Sequence, residues 1–306
     1  MVLDAELARY RAIFLEPGWV SRRFQGWQCI LEEPGVALLA MKAWPASRYL
    51  ALCEGDAARA ERVLASTSVW SPMARVTVKC FDLPWQDAPA VLRLGGRTLS
   101  IASDEQRLLN KHTFVFRLQD SEELLWGRFN QATRRKCKAS ERAQAAFLSV
   151  SDPQAPQLAT FLARLAQVSA ERGLQMPSSR MIQEVVASGA GVLHVVTEGD
   201  REVAMALIYR AGPTAYYLYG VTLDEDSQGG GHWIHWSVMR HYKALGCQWY
   251  DFGGVASLSD ENGIFRFKRG FGGELVDLGA EYRWQGAVLQ TALNLRQRVR
   301  AKEALT

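Results

Sequence analysis

The order of sequence patterns predicts an α+β fold, and three observations carry that prediction. Strand-like and helical runs follow one another in blocks rather than in strict alternation. In the second half, GVLHVVTE, EVAMALIYR and TAYYLYG are joined by the short turns Glu198 to Arg201 and Arg210 to Thr214, which makes them antiparallel neighbours. A glycine-led helix, HWIHWSVMRHYKALG, and a further strand, CQWYDF, come next.

The remaining elements follow in chain order. ALLAMKAW and RYLALCE read as strands, and DAARAERVLAS reads as a short amphipathic helix. ARVTVKCFDL, AVLRLGGRTLSI and TFVFRL read as strands, separated by turn chemistry such as Gly95-Gly96. SEELLWGRFNQATRRKCKASERAQAAF reads as one long helix capped by Ser121. Its second half is crowded with Arg134, Arg135, Lys136 and Lys138. The PQAP stretch, Pro153 to Pro156, places a domain boundary near residue 150, giving domains of 1–150 and 151–306. PQLATFLARLAQVSAERG ends at Gly173, where a glycine C-cap belongs, and SSRMIQEVVAS is a second helix. ELVDLGAEYRW is a late strand, and a basic helix begins near Ala287.

Composition narrows the function. With 306 residues, 48% hydrophobic and 22% charged, the chain can bury a sizeable core. It holds no run of ~18 apolar residues and no apolar leader, so the expected location is the cytoplasm. Cys29, Cys53, Cys80, Cys137 and Cys247 form no CxxC pair, which argues against a disulfide framework or a zinc ribbon. A net charge of +4 permits an anionic partner without demanding one. No GxSxG, Walker loop or HExxH occurs.

Three features carry chemistry. Gly229, Gly230 and Gly231 open a helix, so their amides either hold an anion or serve an unusual turn. Asp251 ends the apolar run WYDF before Gly253 and Gly254, either as a catalytic carboxylate or as the cap of the turn. The run IFRFKRGFGG, read as extended, sends Phe265, Phe267 and Arg269 to one face and Arg266 and Lys268 to the other. Its cations suit a phosphate or a carbonyl oxygen that gains charge; the bland alternative is a solvated edge strand. His232, His235 and His241 share one helix, but no acidic partner has ligand spacing, so no metal site is expected. Tyr216, Tyr217 and Tyr219 are core residues, with one hydroxyl, assigned to Tyr219, reaching the cleft.

The strand with YxYG, the helix ending in glycine, WYDFGG and then FKRGFGG together resemble the Fem family of aminoacyl-tRNA-dependent transferases. The helix with RRKCKAS is similar to that family's arginine-containing helix before its second domain. The match covers roughly residues 110 to 285. The resemblance implies two GNAT-like domains, each a mixed, mostly antiparallel sheet flanked by helices, the first degenerate. It implies transfer of an amino acid from aminoacyl-tRNA, as co-substrate, to a primary amine of a cell-wall precursor or natural-product peptide, with no bound cofactor. Lys268 would then stand at the donor ester, Phe267 would line the donor channel, Asp251 would be a candidate base, and Arg180 would meet acceptor phosphates. Arg134, Arg135 and Lys136, with Arg296, Arg298, Arg300 and Lys302 of the tail, would either contact tRNA phosphates or form a solvated helix face. An acyl-CoA-dependent N-acyltransferase is the alternative, and a non-catalytic binding module of the same fold is the third. Gln228 and Gly231 fit a pyrophosphate loop, whereas Trp233 stands where that loop wants a small residue.

Overall fold

The computed structural model describes residues 12–23, 26–33, 35–43, 46–55, 57–65, 67–171, 173, 177–224, 226–227 and 229–303. A 3-10 turn at Ile13–Leu15 is followed by α1 (Pro17–Arg23), β1 (Gln28–Glu33), β2 (Val36–Ala43), β3 (Ala46–Cys53), α2 (Ala57–Ala65) and β4 (Ala74–Cys80). Next come β5 (Val91–Leu94), β6 (Arg97–Ile101), β7 (His112–Arg117), α3 (Glu122–Arg128), α4 (Gln131–Arg142) and β8 (Ala146–Val150). The chain continues through α5 (Pro156–Glu171), α6 (Ser179–Ala187), β9 (Gly191–Glu198), β10 (Arg201–Ala211), β11 (Thr214–Thr222) and α7 (Gly230–Ala244). It ends with β12 (Trp249–Val255), α8 (Gly263–Arg269), β13 (Glu274–Asp277), β14 (Ala280–Gln285) and α9 (Ala287–Glu303).

Two units result, and their borders differ from the expected division at residue 150. One unit comprises 112–276 and the other 12–111 together with 277–303. The reason is strand pairing. The late run ELVDLGAEYRW is two strands that part company at Gly279, whose φ is +81°. Of these, β13 joins β7, whereas β14 inserts between β4 and β6 of the first sheet. PQAP separates β8 from α5, but β8 already pairs with β9, so the proline pair marks a loop inside one unit.

The first sheet has the order β1-β2-β3-β4-β14-β6-β5, with β3 and β4 parallel and the other pairs antiparallel. Leu38, Ala51, Val76, Val78, Cys80 and Tyr282 lie on the face that packs on Ala60, Val63 and Leu64 of α2. The second sheet runs β13-β7-β12-β11-β10-β9-β8. Its strands β9, β10 and β11 form the antiparallel meander that their short turns predict. Between β11 and β12 the pairing is parallel, as the crossover through α7 requires. Buried Ile234, Val238, Met239 and Tyr242 of α7 meet Tyr250, Phe252, Ala206 and Ile208 in this core.

Two local readings change. The predicted long helix is two, α3 and α4, broken at Phe129–Asn130. Ser121 caps the first, accepting from Leu124 N at 3.2 Å, and Asn130 caps the second, accepting from Thr133 N at 2.8 Å. Asn130 is therefore a start signal in mid-run. The segment IFRFKR is helix α8, not a strand, because the Asn262 side chain caps it by accepting from Phe265 N at 3.0 Å.

Candidate active site

All of the site lies within the unit of residues 112–276. Parallel pairing of β11 with β12 covers only Thr214–Trp249, Ala215–Tyr250 and Tyr216–Asp251. Past that point the two strands are no longer laddered, although β11 runs on to Thr222 and β12 to Val255. Both change register there. On β11, Tyr217 and Tyr219 oppose the consecutive residues Ile208 and Leu207, so Leu218 is the extra residue of a bulge. On β12 the pairing with β7 shifts between Asp251 and Gly254.

Gly253 occupies the turn of this shift, with φ at +78°. A Cβ there would stand 3.1 Å from the Tyr217 carbonyl oxygen and 3.2 Å from Lys268 Nζ, so both backbone conformation and space select glycine. Asp251 is 4% exposed. Its Oδ1 accepts from Thr113 Oγ1 at 2.5 Å and from Gly253 N at 2.7 Å. That second bond closes the turn two residues on, so the capping role is real and the carboxylate serves it.

Lys268 approaches from α8. It is 6% exposed, and its ammonium donates to the carbonyls of Gly253 at 2.9 Å and Gly254 at 3.0 Å. The rings of Tyr217 and Phe252 lie 5.7 and 5.6 Å from Nζ. Burial lowers its pKa to about 8, and the Asp251 charge pulls the other way. The helix is anchored at its far end. Gly270 O accepts from Asn130 N at 2.8 Å, and a Cβ on Gly270 would crowd Thr133 Oγ1. The break between α3 and α4 is thus the seat on which α8 ends.

An aromatic wall surrounds the lysine. Phe267 is half-buried, edge-on to His232 at 4.8 Å and to Phe271 at 5.3 Å. His235 is buried, 4.4 Å from Phe252 and 4.8 Å from the Tyr217 ring, and its Nδ1 lies 2.8 Å from Tyr250 Oη. Burial drives the pKa of His235 well below its ordinary value, with further depression from His232 and Lys268. Burial, then Lys136, lowers that of His232 to about 4. Both imidazoles are therefore neutral at pH 7. The histidine helix supplies ring surface, a use its spacing alone does not announce.

The other expected residues spread more widely. With α8 a helix, Phe265 and Lys268 point inward and Arg266 outward. Arg269 pairs with Asp260 at 2.5 Å and lies over the Phe265 ring at 5.2 Å. Gly254 is half-buried on β12 opposite Thr113. Tyr219 is half-buried on β11, and it is Tyr217 that stands beside Lys268. Arg180 is largely exposed on α6 and pairs with Glu184 at 2.8 Å, apart from this cluster of contacts.

The glycine turn and the basic helix meet each other. A Cβ on Gly229 would collide with the Lys136 carbonyl, and one on Gly230 would stand 2.7 Å from Val203 Cγ2. Gly230 N donates to Ser227 Oγ at 3.0 Å, and Ser227 Oγ in turn donates to Glu198 at 3.0 Å. A Cβ on Gly231 would come within 3.3 Å of Thr222 Oγ1. These glycines admit α4 and the neighbouring strands against the start of α7. On α4, Arg135, Lys136 and Lys138 are exposed, and Arg134 reaches Gly127 O at 3.4 Å. Gln228 and the side chains of Arg296, Arg298, Arg300 and Lys302 lie outside the described residues.

Known proteins give this geometry a context. Residues 127–269 match the acetyltransferase (GNAT) domain family. No curated protein sequence matches the chain. Among solved structures, FemX superposes with a TM-score of 0.68 at 15% identity, covering 93% of this chain and 94% of its own. The C-terminal domain of a putative lysylphosphatidylglycerol synthetase from Agrobacterium fabrum gives a TM-score of 0.54 at 14% identity, covering 88% of this chain and 87% of that one. L-PGS from Bacillus licheniformis gives 0.52 at 12% identity, covering 92% of this chain and 91% of that one. Two mixed seven-stranded sheets flanked by helices, a match to the GNAT domain over residues 127–269 and a FemX-like course over nearly the whole chain give this protein a Fem-like GNAT fold.

Proposed function

We propose that the protein is an aminoacyltransferase that moves an amino acid from aminoacyl-tRNA onto a primary amine of a peptide-type acceptor. The acceptor class is a cell-wall precursor or a natural-product peptide. One observation carries the reading: a buried ammonium, that of Lys268, is fixed by two backbone carbonyls where the parallel strands part. An ammonium has three N–H groups, so one remains for a reacting oxygen. In this reading the acceptor amine attacks the ester carbonyl, and the oxygen that gains charge is stabilised by Lys268. The C–N bond then forms, the C–O bond to the tRNA ribose breaks, and the departing ribose hydroxyl takes the proton released by the amine. Asp251, whose Oδ1 already serves Thr113 and Gly253, supports the positive charge of Lys268 rather than removing that proton. Phe267, Phe252 and Tyr217 keep water from the ester. The exposed cations of α4 are the surface for tRNA phosphates.

The acetyltransferase description of the matched domain favours a second reading, transfer from an acyl-CoA. Purified protein incubated with candidate amines and either labelled aminoacyl-tRNA or labelled acyl-CoA separates the two. Amide formation that RNase abolishes supports the first reading. Transfer from acyl-CoA that survives RNase replaces it with the second.

A further inference from the structure

A cluster of charge that the transfer site does not use lies on the first sheet. Arg48 of β3 stands directly across from Arg75 of β4, and the register of β14 sets Gln285 opposite Arg75 and Arg283 opposite Thr77. Side chains two apart on a strand share a face, so the three arginines project from the side of the sheet opposite α2. Neighbouring strands lie ~4.8 Å apart, which brings like charges together. Such crowding costs energy unless an anion offsets it.

No carboxylate pairs with any of the three among the described residues, and none of their side-chain nitrogens has a hydrogen-bond partner there. The Nε atoms of Arg75 and Arg283 are buried and unpartnered, while Arg48 is exposed. Glu281 shares the face and its charge favours Arg283, but its oxygens accept from the Leu108 amide at 2.9 Å and the Leu109 amide at 3.3 Å. Arg75 has a lowered pKa from burial first and then from the Arg283 and Arg48 guanidiniums; that of Arg283 is lowered by burial, with Glu281 opposing and Arg48 adding a smaller depression. A buried donor without an acceptor is a cost that native proteins rarely leave unmet.

We propose that Arg48, Arg75 and Arg283 form a binding site for a soluble phosphate-bearing molecule, with the doubly or triply charged group of a phosphate ester or diphosphate seated among the guanidiniums. A single carboxylate would leave most of three positive charges unbalanced. Phosphate oxygens match the planar guanidinium fork and accept several N–H groups at once. The proposal does not depend on which donor the transfer site uses.

Isothermal titration of the full chain with pyrophosphate and with inorganic phosphate, at constant ionic strength set by sodium chloride, tests it. The wild type should bind pyrophosphate, and Arg48→Gln and Arg75→Gln should each weaken binding by at least ~10-fold, the scale of a lost charge-assisted pair. Arg62→Gln, an exposed change on α2, should leave it unaltered. Because Arg48 is itself exposed, its loss does not threaten folding, and circular dichroism checks Arg75→Gln. Equal binding by all four proteins, or no binding by the wild type, overturns the proposal. A further arm offers phosphatidylglycerol vesicles; arginine-dependent capture of vesicles without pyrophosphate binding would replace a soluble ligand with a lipid surface and overturn it as stated.

Discussion

Lys268 Nζ donates to the Gly253 carbonyl at 2.9 Å, joining the last turn of α8 to the one residue of β12 held in the left-handed region. A lysine buried this deeply is held in place by its neighbours rather than by solvent. Replacing it removes a fixed charge and the donor that the Gly253 and Gly254 carbonyls share. Lys268→Ala should lower turnover by well over ~10-fold, the loss expected for one oxyanion contact. Single-turnover assays with saturating donor check this, and unchanged turnover removes Lys268 from the chemistry.

The pH profile should report the same group. Lys268 acts as a cation, and its pKa is lowered to about 8, so activity should fall as pH rises through about 8. Stability moves in the opposite direction. The folded-state value lies below the ordinary 10.5, so between about 8 and 10.5 the unfolded chain binds the extra proton and stability rises with pH. Denaturant melts from pH 7 to 10.5, in wild type and Lys268→Met, read that rise and its loss.

Asp251 separates two roles cleanly. Asn in its place keeps a side-chain oxygen for Thr113 and Gly253 N, so the turn survives, but the charge that raises the Lys268 pKa is gone. Asp251→Asn should therefore shift the alkaline limb of the rate profile to lower pH, with less than ~10-fold loss at its maximum. Loss of activity by ~100-fold or more at every pH would make Asp251 the proton acceptor instead.

Gly253→Ala meets both a positive φ and two close atoms, one of them backbone. It should cost ~1–3 kcal/mol in a denaturant melt, the range for a side chain forced into that region. Gly229→Ala runs into the Lys136 backbone, which cannot give way without moving α4, and should cost at least as much. Gly96→Ala, with open space around it and φ at +70°, reports the backbone term alone and should cost less.

Acid should reach the aromatic wall in a defined window. His232 has its pKa lowered from 6.5 to about 4 by burial, so below 6.5 the unfolded chain takes up a proton that the folded one refuses. Stability should fall as pH drops from 6.5 to 4, and His232→Phe should flatten that slope in thermal melts.

Much of the architecture was readable because the signals are local. The meander β9-β10-β11 announces itself through two tight turns, and Ser121, Gly173 and Gly246 mark helix ends as their chemistry dictates. The IFRFKR segment was harder, since over so few residues an alternation of aromatics fits a strand while Phe265 and Lys268, three apart, fit a helix equally well. Only Asn262 before it favours the helix, and an asparagine beside glycine is also turn chemistry. The approach of Lys136 to Gly229 and the insertion of β14 between β4 and β6 are long-range pairings that no local pattern encodes. Lys268 could be singled out from its motif, whereas the Tyr217 ring beside it depended on a bulge at Leu218 that periodicity does not reveal.

The placement of β14 also constrains the timing of folding. Until residues 280–285 leave the ribosome, β4 and the β5–β6 hairpin have no strand between them, and each presents a bare inner edge. Residues 112–276, by contrast, contain every strand of their own sheet's laddered interior and can close earlier. During synthesis, the segment made first is thus the one whose sheet is completed last, and a nascent chain that stalls short of Ala280 would carry two open edges ready to pair with a neighbour.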